Sequence, residues 1–385
     1  MLQFFAASAP GLEPLLIQEL HRLGLKPTSS SSSFISQDEQ YETGGVEFEG
    51  SLKDLYLANL HLRTASRILV RLGSFEATRF PELRRKAANL PWEQYLSPGM
   101  DISLRVACHA SRLYHQRAVA ERVVGAISDR LGQPPCVRKL DEEATDSSPK
   151  LILVRIQNNQ CTISVDSSGP LLHRRGYRLA TAKAPLRETL AAAMLLAGRW
   201  DGIAPLIDPF CGSGTIPIEA ALLAREIPPG YQRTFTFMNW PSFDKSLWDT
   251  IRAFNSDLEK RAKPEIIGSD RDAGAIQAAR ANAERAGLSD TIEFTCQAVS
   301  YLDPPVGPGW IVTNPPYGKR LPSNKDLRNL YAQFGKTLRS KCPGWKVVML
   351  CDSIQLVKAT GLKFEEVIPT LNGGLKVKIF VGHVD

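Results

Sequence analysis

Several features that would assign a function at once are missing from this chain of 385 residues. Its seven cysteines are an odd number, are scattered and contain no C-x-x-C pair. That argues against a disulfide framework and a structural zinc site, and fits a reducing cytoplasm. No apolar run reaches the roughly 20 residues that cross a bilayer. The opening Met1-Leu2-Gln3-Phe4-Phe5 has no basic stretch before its apolar residues, so it reads as a first strand, not a signal peptide. There is no Gly-Lys-Ser/Thr and hence no P-loop, and the G-x-G-x-x-G spacing of a dinucleotide site is missing as well. No residue pair calls for a metal.

What is present is the composition of a soluble globular protein of two or three domains, 43% hydrophobic and 23% charged. The formal net charge is +7, which permits a polyanionic partner. The excess is local. Residues 1–50 hold two basic residues against seven acidic, and residues 63–86 hold seven against two. A phosphate-binding surface requires such clustering, and a solvated helix face also produces it.

Two stretches carry the chemistry. In Ile311-Val312-Thr313-Asn314-Pro315-Pro316-Tyr317-Gly318 a β-branched run is stopped by two prolines, which cannot donate to a sheet ladder. Asn314 and Tyr317 therefore sit on a stiff loop at a strand's carboxyl end, where open α/β sheets place ligands. The Asn314 amide oxygen and the Pro315 carbonyl can accept hydrogen bonds from a planar amine, and Tyr317 can lie on an aromatic ring. In Leu206-Ile207-Asp208-Pro209-Phe210-Cys211-Gly212-Ser213-Gly214-Thr215 a buried strand meets a glycine turn and then a helix from Ile216 to Arg225. Gly212 and Gly214 permit positive φ and close approach of a ligand. The helix start offers N–H groups to an anionic end.

Along the chain, residues 1–25 read as strand then helix, and Ser29 to Ser33 as a loop. Asp101 to Cys108 alternates as a half-buried strand, and Ser111-Arg112-Leu113-Tyr114-His115 leads into a long helix ending at Leu131. A hairpin is expected around Asn158-Asn159. Residues 167–187 form a basic connector holding His173, Arg174, Arg175, Arg178, Lys183 and Arg187, with Tyr177 among them. Arginine pairs with phosphate and stacks on bases, so this segment is a candidate RNA contact as well as a plain linker. After a helix at Glu188 to Trp200, strands and helices alternate, and a stretch from Pro228 to Lys263 intervenes with a helical piece near Ile251 to Arg261. The second strand ends at Asp270. The chain closes with two apolar strands around Asn372-Gly373-Gly374, a hairpin signal.

Asp-Pro-Phe-Cys-Gly-Ser-Gly-Thr followed by Thr-Asn-Pro-Pro-Tyr-Gly resembles the class I S-adenosylmethionine-dependent RNA methyltransferases that carry a THUMP domain. Within these, the chain is most similar to the bacterial guanine-N2 methyltransferases of 23S rRNA. Leu172-His173-Arg174-Arg175-Gly176-Tyr177-Arg178, Ala184-Pro185-Leu186-Arg187-Glu188-Thr189-Leu190 and Ser111-Arg112-Leu113-Tyr114-His115 match too. The resemblance implies an α/β fold: a Rossmann-like class I methyltransferase sheet ending in an antiparallel hairpin, preceded by an α+β ferredoxin-like and THUMP region that binds structured RNA. The expected division is 1–45 ferredoxin-like, 46–166 THUMP, 167–187 connector and 188–385 methyltransferase.

The resemblance implies S-adenosylmethionine as cofactor. Its expected contacts are Asp208, Phe210, Gly212, Gly214, Thr215, Asp270 and Asn314. Asp270 would hold the ribose hydroxyls, with Asp272 as an alternative that equally suits a helix N-cap. Asn314, Pro315 and Tyr317 would be catalytic, with Tyr317 stacked on a flipped base. Arg112, His115, Arg174, Arg175, Tyr177 and Arg178 would contact RNA. The family's acidic adenine contact after the third strand has no counterpart near Ala298, and Asp303 comes too late. Backbone groups near Gln297 are the expected substitute. Besides 23S rRNA, the motifs leave open a transfer RNA, a DNA adenine-N6 position, and a non-catalytic RNA-binding assembly factor.

Overall fold

The computed structural model describes residues 1–28, 44–140, 149–178, 186–253, 264–318 and 324–385. The serine run, Lys183 and the Ala184-Pro185 pair lie outside the described residues, as does most of the helix expected at Ile251 to Arg261.

The amino-terminal half is built on one sheet. Its strands are β1 (Leu2–Ala7), β2 (Lys26–Pro27), β3 (Gly45–Gly50), β4 (Arg67–Glu76), β5 (Asp101–His109), β6 (Cys136–Val137), β7 (Lys150–Gln157) and β8 (Gln160–Asp166). They run in the order β2-β3-β1-β4-β8-β7-β5-β6. Helices α1 (Glu13–Arg22), α2 (Leu52–His61), α3 (Phe80–Ala88) and α4 (Gln116–Leu131) pack on it. The expected boundary at residue 45 is corrected by the pairing: β3 lies beside β1 in antiparallel register from Leu2↔Gly50 to Ala7↔Gly45. A cut there would strip a central strand of its neighbour, so the ferredoxin-like segment extends through β3 and α2 to β4. The hairpin β7–β8 turns at Asn158 and Asn159, both at positive φ (50° and 65°), a conformation that asparagine tolerates. Ser111 to His115 is a loop ahead of α4, pinned to that turn by Arg112 N–H donating to Asn159 Oδ1 (2.9 Å).

The second sheet contains β9 (Leu206–Asp208), β10 (Ile266–Asp270), β11 (Ile292–Cys296), β12 (Trp310–Thr313), β13 (Lys346–Cys351), β14 (Lys363–Asn372) and β15 (Leu375–His383). Its order is β11-β10-β9-β12-β13-β15-β14. The strands from β9 to β13 pair in parallel, and β15 runs antiparallel to both its neighbours. Connections leave β9 toward β10 and β11, then cross back to β12. The order therefore reverses between β9 and β12, and the carboxyl ends of these two strands open a crevice.

The helices of this half are α5 (Glu188–Ala197), α6 (Thr215–Ala224), α7 (Lys245–Ala253), α8 (Ala273–Arg285), α9 (Asn324–Lys341) and α10 (Ile354–Ala359). Nearly every residue of α5 and α6 is buried. Such all-round burial belongs to helices covered on every side.

The two halves interlock. Leu12 and Leu15 of the first segment join the core of the second sheet. In return Phe235, Phe237, Trp240 and Trp248, from the insertion after α6, join the core of the first. Tyr56 of α2 stacks on Phe237 (4.5 Å between ring centroids), and its hydroxyl accepts the Asp244 N–H (3.0 Å).

Candidate active site

The crevice is walled by the turn after β9. Asp208 closes that strand with 1% of its surface exposed. Its Oδ1 accepts the Thr313 hydroxyl from the end of β12 (2.6 Å) and the Phe210 N–H (3.1 Å). One carboxylate thus fastens two strand ends together. Burial pushes its pKa up to about 7, against the pull of the Thr313 hydrogen bond. Gly212 and Gly214 follow at positive φ, 51° and 81°. A Cβ on Gly212 would meet nothing within 4 Å, so this side of the turn is open. A Cβ on Gly214 would instead press on Ala279 Cβ (3.0 Å) and Phe294 Cζ (3.1 Å), because α8 and β11 close in behind it. The ring of Phe210 meets Phe334 edge-on (5.4 Å). The Thr215 hydroxyl accepts a hydrogen bond from Arg178.

Asp270 ends β10 and its two carboxylate oxygens accept the N–H groups of Gly212 and Asp272, each at 3.0 Å. It holds the glycine turn from the neighbouring strand while staying partly exposed at the crevice. Asp272 is the N-cap of α8, accepting the Gly274 N–H (2.8 Å) and the Ala275 N–H (3.3 Å). The alternative between the two is thereby divided: Asp272 is committed to the helix. After β11 the Gln297 N–H donates to the Asp270 carbonyl (2.9 Å), so this backbone group braces the two strand ends and is not open to an adenine. Ala298 and Asp303 are exposed.

Across the crevice, Asn314 follows β12 directly. Its Oδ1 is buried and has no hydrogen-bond partner among the described residues. A buried amide oxygen left unpaired costs about 1–3 kcal/mol, so its placement points to an external donor. Asp208, the open face at Gly212, Asp270 and Asn314 together fit a ligand with a cationic amino-acid end, a diol and a reactive group aimed at an amine.

The expectation for Tyr317 is corrected. Its side chain is 1% exposed, and its hydroxyl accepts the Asn372 Nδ2–H from the β14–β15 turn (3.0 Å). A ring so enclosed does not stack on an incoming base. It is a strut that holds the Pro-Pro loop against the terminal hairpin. Tyr331 braces the same loop, donating its hydroxyl to the Pro316 carbonyl (3.3 Å).

The expected RNA contacts divide. Arg112 and His115 are exposed, and the His115 ring lies 4.1 Å from that of Tyr114, itself 66% exposed. Sequence reasoning passed over Tyr114, although its place between two basic side chains was a usable signal. Arg174 is half-buried. Arg175 and Tyr177 are corrected: they are 3% and 2% exposed, and both bind Glu219 of α6, at 3.4 and 3.2 Å. Arg178 is turned inward onto Thr215, the Leu186 carbonyl (3.0 Å) and Glu188 (3.4 Å). His173 is held uncharged, burial and the arginines around it pushing its pKa down to about 3. Over residues 167–178, much of this basic connector is therefore interior structure. Glu219 carried no mark in the sequence, and nothing there gave Thr313 or Asn372 its part in the site, because their partners are distant in the chain.

A parallel sheet with an antiparallel terminal pair, a glycine turn after its central strand and an Asn-Pro-Pro-Tyr loop across the switch point define a class I S-adenosylmethionine-dependent methyltransferase. The chain belongs to the family described as RMKL-like, methyltransferase domain, whose model matches residues 175–379. Residues 3–69 match the RlmL ferredoxin-like domain and residues 77–166 the THUMP domain. Among curated relatives, a ribosomal RNA large subunit methyltransferase K/L from Shewanella baltica is 36% identical over 98% of this chain and 52% of its own length. A putative RNA methyltransferase from Synechocystis is 34% identical over 97% of this chain and 94% of its own. The chain thus spans about half the length of the K/L relatives. Among solved structures, the putative methyltransferase SMU.472, complexed with SAH, is 29% identical, with a TM-score of 0.84 over 100% of this chain and 98% of its own. A predicted N6-adenine-specific DNA methylase from Listeria monocytogenes is 34% identical, with a TM-score of 0.84 over 99% and 96%. The resemblance read from the motifs is borne out.

Proposed function

We propose that this chain methylates the exocyclic N2 of a guanine in 23S rRNA. The observation that carries the reading is the buried, unpaired Oδ1 of Asn314 beside the glycine turn. A guanine amine is a weak nucleophile because its lone pair is delocalised into the ring. Hydrogen bonds from its two N–H groups to Asn314 Oδ1 and the Pro315 carbonyl favour a tetrahedral nitrogen and free the lone pair. S-adenosylmethionine supplies a sulfonium methyl for in-line transfer and leaves as the thioether. Asp208 and the Gly212–Gly214 turn would bind its amino-acid end, Asp270 its ribose. Tyr317 and Tyr331 keep the Pro-Pro loop in place, so positioning supplies much of the rate. The methylated nitrogen then loses a proton to water, and no dedicated base is needed.

Ribosomal RNA is favoured by the K/L relatives. We assign RNA reading to the amino-terminal half, with Arg112, Tyr114 and His115 as exposed contacts: an aromatic pair beside a cation suits unpaired bases. Residues 167–187 connect it to the transferring half, 188–385. A second reading has specific support. The Listeria relative carries an adenine-N6 name, and an amide–carbonyl clamp fits any planar amine.

Nucleoside mass spectrometry of ribosomal RNA, transfer RNA and DNA from cells with and without the protein tests the proposal. Loss of N2-methylguanosine from 23S rRNA alone is expected. Loss from transfer RNA instead would move the substrate, loss of N6-methyladenine from DNA would favour the second reading, and no loss would refute transfer.

A further inference from the structure

Helix α6 leaves the glycine turn that walls the candidate cofactor site, and the sheet it covers is not all that holds it. Its N-cap is Gly214, at φ 81°, which has no side chain with which to cap the first turn. The fastening comes from the connector instead. Arg178 Nη2 donates to the Thr215 hydroxyl on the first helical residue, while Nη1 donates to the Leu186 carbonyl (3.0 Å) and the guanidinium pairs with Glu188 (3.4 Å).

One turn further on, Arg175 pairs with Glu219, both side chains almost wholly buried. At the last turn and just past it, Arg63 Nη2 donates to the carbonyls of Leu222 (3.2 Å) and Ile227 (2.7 Å). These anchors are joined to each other. Arg175 Nη2 donates to the Arg63 carbonyl (2.6 Å), and the Arg63 N–H donates to Glu19 of α1 (2.7 Å).

A cation at a helix amino terminus opposes the helix dipole, so Arg178 gains nothing from the helix by standing there. What its place offers is a rigid fork on the first turn and a positive charge beside N–H groups that would receive a carboxylate.

We infer that Arg178 is a positioning residue for the cofactor turn: it sets the first turn of α6 from the connector, so that cofactor affinity depends on a contact outside the sheet. This rests on the cofactor reading above. It implies that the amino-terminal half, through Arg63, holds the far end of the same helix and is part of the cofactor site's frame.

The test uses the full chain. Binding of S-adenosylhomocysteine is measured by calorimetry for the wild type, Arg178→Met, Arg178→Lys, Thr215→Val and the double variant Arg178→Met/Thr215→Val, with thermal melts reporting folding. Losing a charge-assisted hydrogen bond predicts affinity weakened on the order of tenfold in Arg178→Met. Arg178→Lys should recover part of it, and the two substitutions should combine for less than the product of their separate effects. In steady state, KM for the methyl donor should rise while KM for RNA and kcat at saturation hold. If the wild type binds and Arg178→Met binds equally well, the inference falls and the cofactor reading stands. If the effects of Arg178→Met and Thr215→Val simply multiply, the contact between them is not what matters and the inference falls too. If the wild type itself fails to bind, the cofactor reading falls and takes the inference with it.

Discussion

At the scale of single residues, the carboxylates of the site are engaged with its own backbone and hydroxyl groups, and one amide oxygen is left over. Asn314 Oδ1 is buried without a partner among the described residues. Asn314→Ala removes an acceptor for the substrate amine but none of the turn's anchors. Cofactor affinity should stay within about twofold, while transfer falls by roughly a hundredfold or more, the scale of losing one preorganised polar contact to the reacting group. Transfer near the wild-type rate would show that the clamp is wrong. Asp208 gives a pH prediction. Its native pKa, about 7, lies above the roughly 3.9 of an unfolded aspartate. The native state therefore keeps this proton longer, and between about pH 4 and 7 this group makes the unliganded protein less stable as pH rises. The ionised form is the one that attracts an ammonium group. Affinity for S-adenosylmethionine should thus rise from pH 6 to 8, and Asp208→Asn should abolish that rise. Calorimetry across this range decides it; a flat profile in the wild type would detach Asp208 from the cofactor.

At the scale of elements, the glycine turn is shaped from both sides. Asp270 holds Gly212 from β10, and α8 and β11 crowd Gly214 from behind. Gly214→Ala puts a Cβ into a left-handed residue, at about 1–2 kcal/mol, and presses it on Ala279 and Phe294. The melting temperature should fall by several degrees, and cofactor affinity should fall with it, because the turn cannot keep its path. Gly212→Ala meets open space and should be milder in stability. Equal losses in the two variants would mean that crowding behind the turn is unimportant. The terminal hairpin also has a part at this scale. Asn372 was legible as a turn residue, and the structure makes it the partner of Tyr317.

At the scale of the molecule, buried charges tie the connector to α6 and, through Arg63, the amino-terminal half to the same helix. Glu219 is fully covered, and Arg175 is its ion-pair partner. Arg175→Ala strands that carboxylate in the interior and should cost about 3–5 kcal/mol, read as a lower urea midpoint. Arg175→Ala combined with Glu219→Gln should recover part of the loss, since no charge is then left unpaired. A single variant as stable as the wild type would show that the pair does not hold the connector to α6.

The strand ends, the terminal hairpin, the glycine turn and the Asn-Pro-Pro-Tyr loop were all determined locally. Strand ends are written in proline, turns in glycine and asparagine, and buried strands in runs such as Leu206-Ile207 and Ile311-Val312, each acting within a few residues of itself. The tertiary structure alone decided where side chains point. Arginine and tyrosine in a basic stretch look alike whether they face RNA or an interior glutamate, and the choice at Arg175, Tyr177 and Arg178 depends on Glu219, Glu188 and Thr215, on other elements. Tyr317 sits in a motif that suggests stacking, yet β14 closes over it. The boundary at residue 45 failed for the same reason, since strand pairing between Leu2 and Gly50 joins positions far apart in the chain. Local chemistry named the site; packing between distant elements determined which of its candidates reach it.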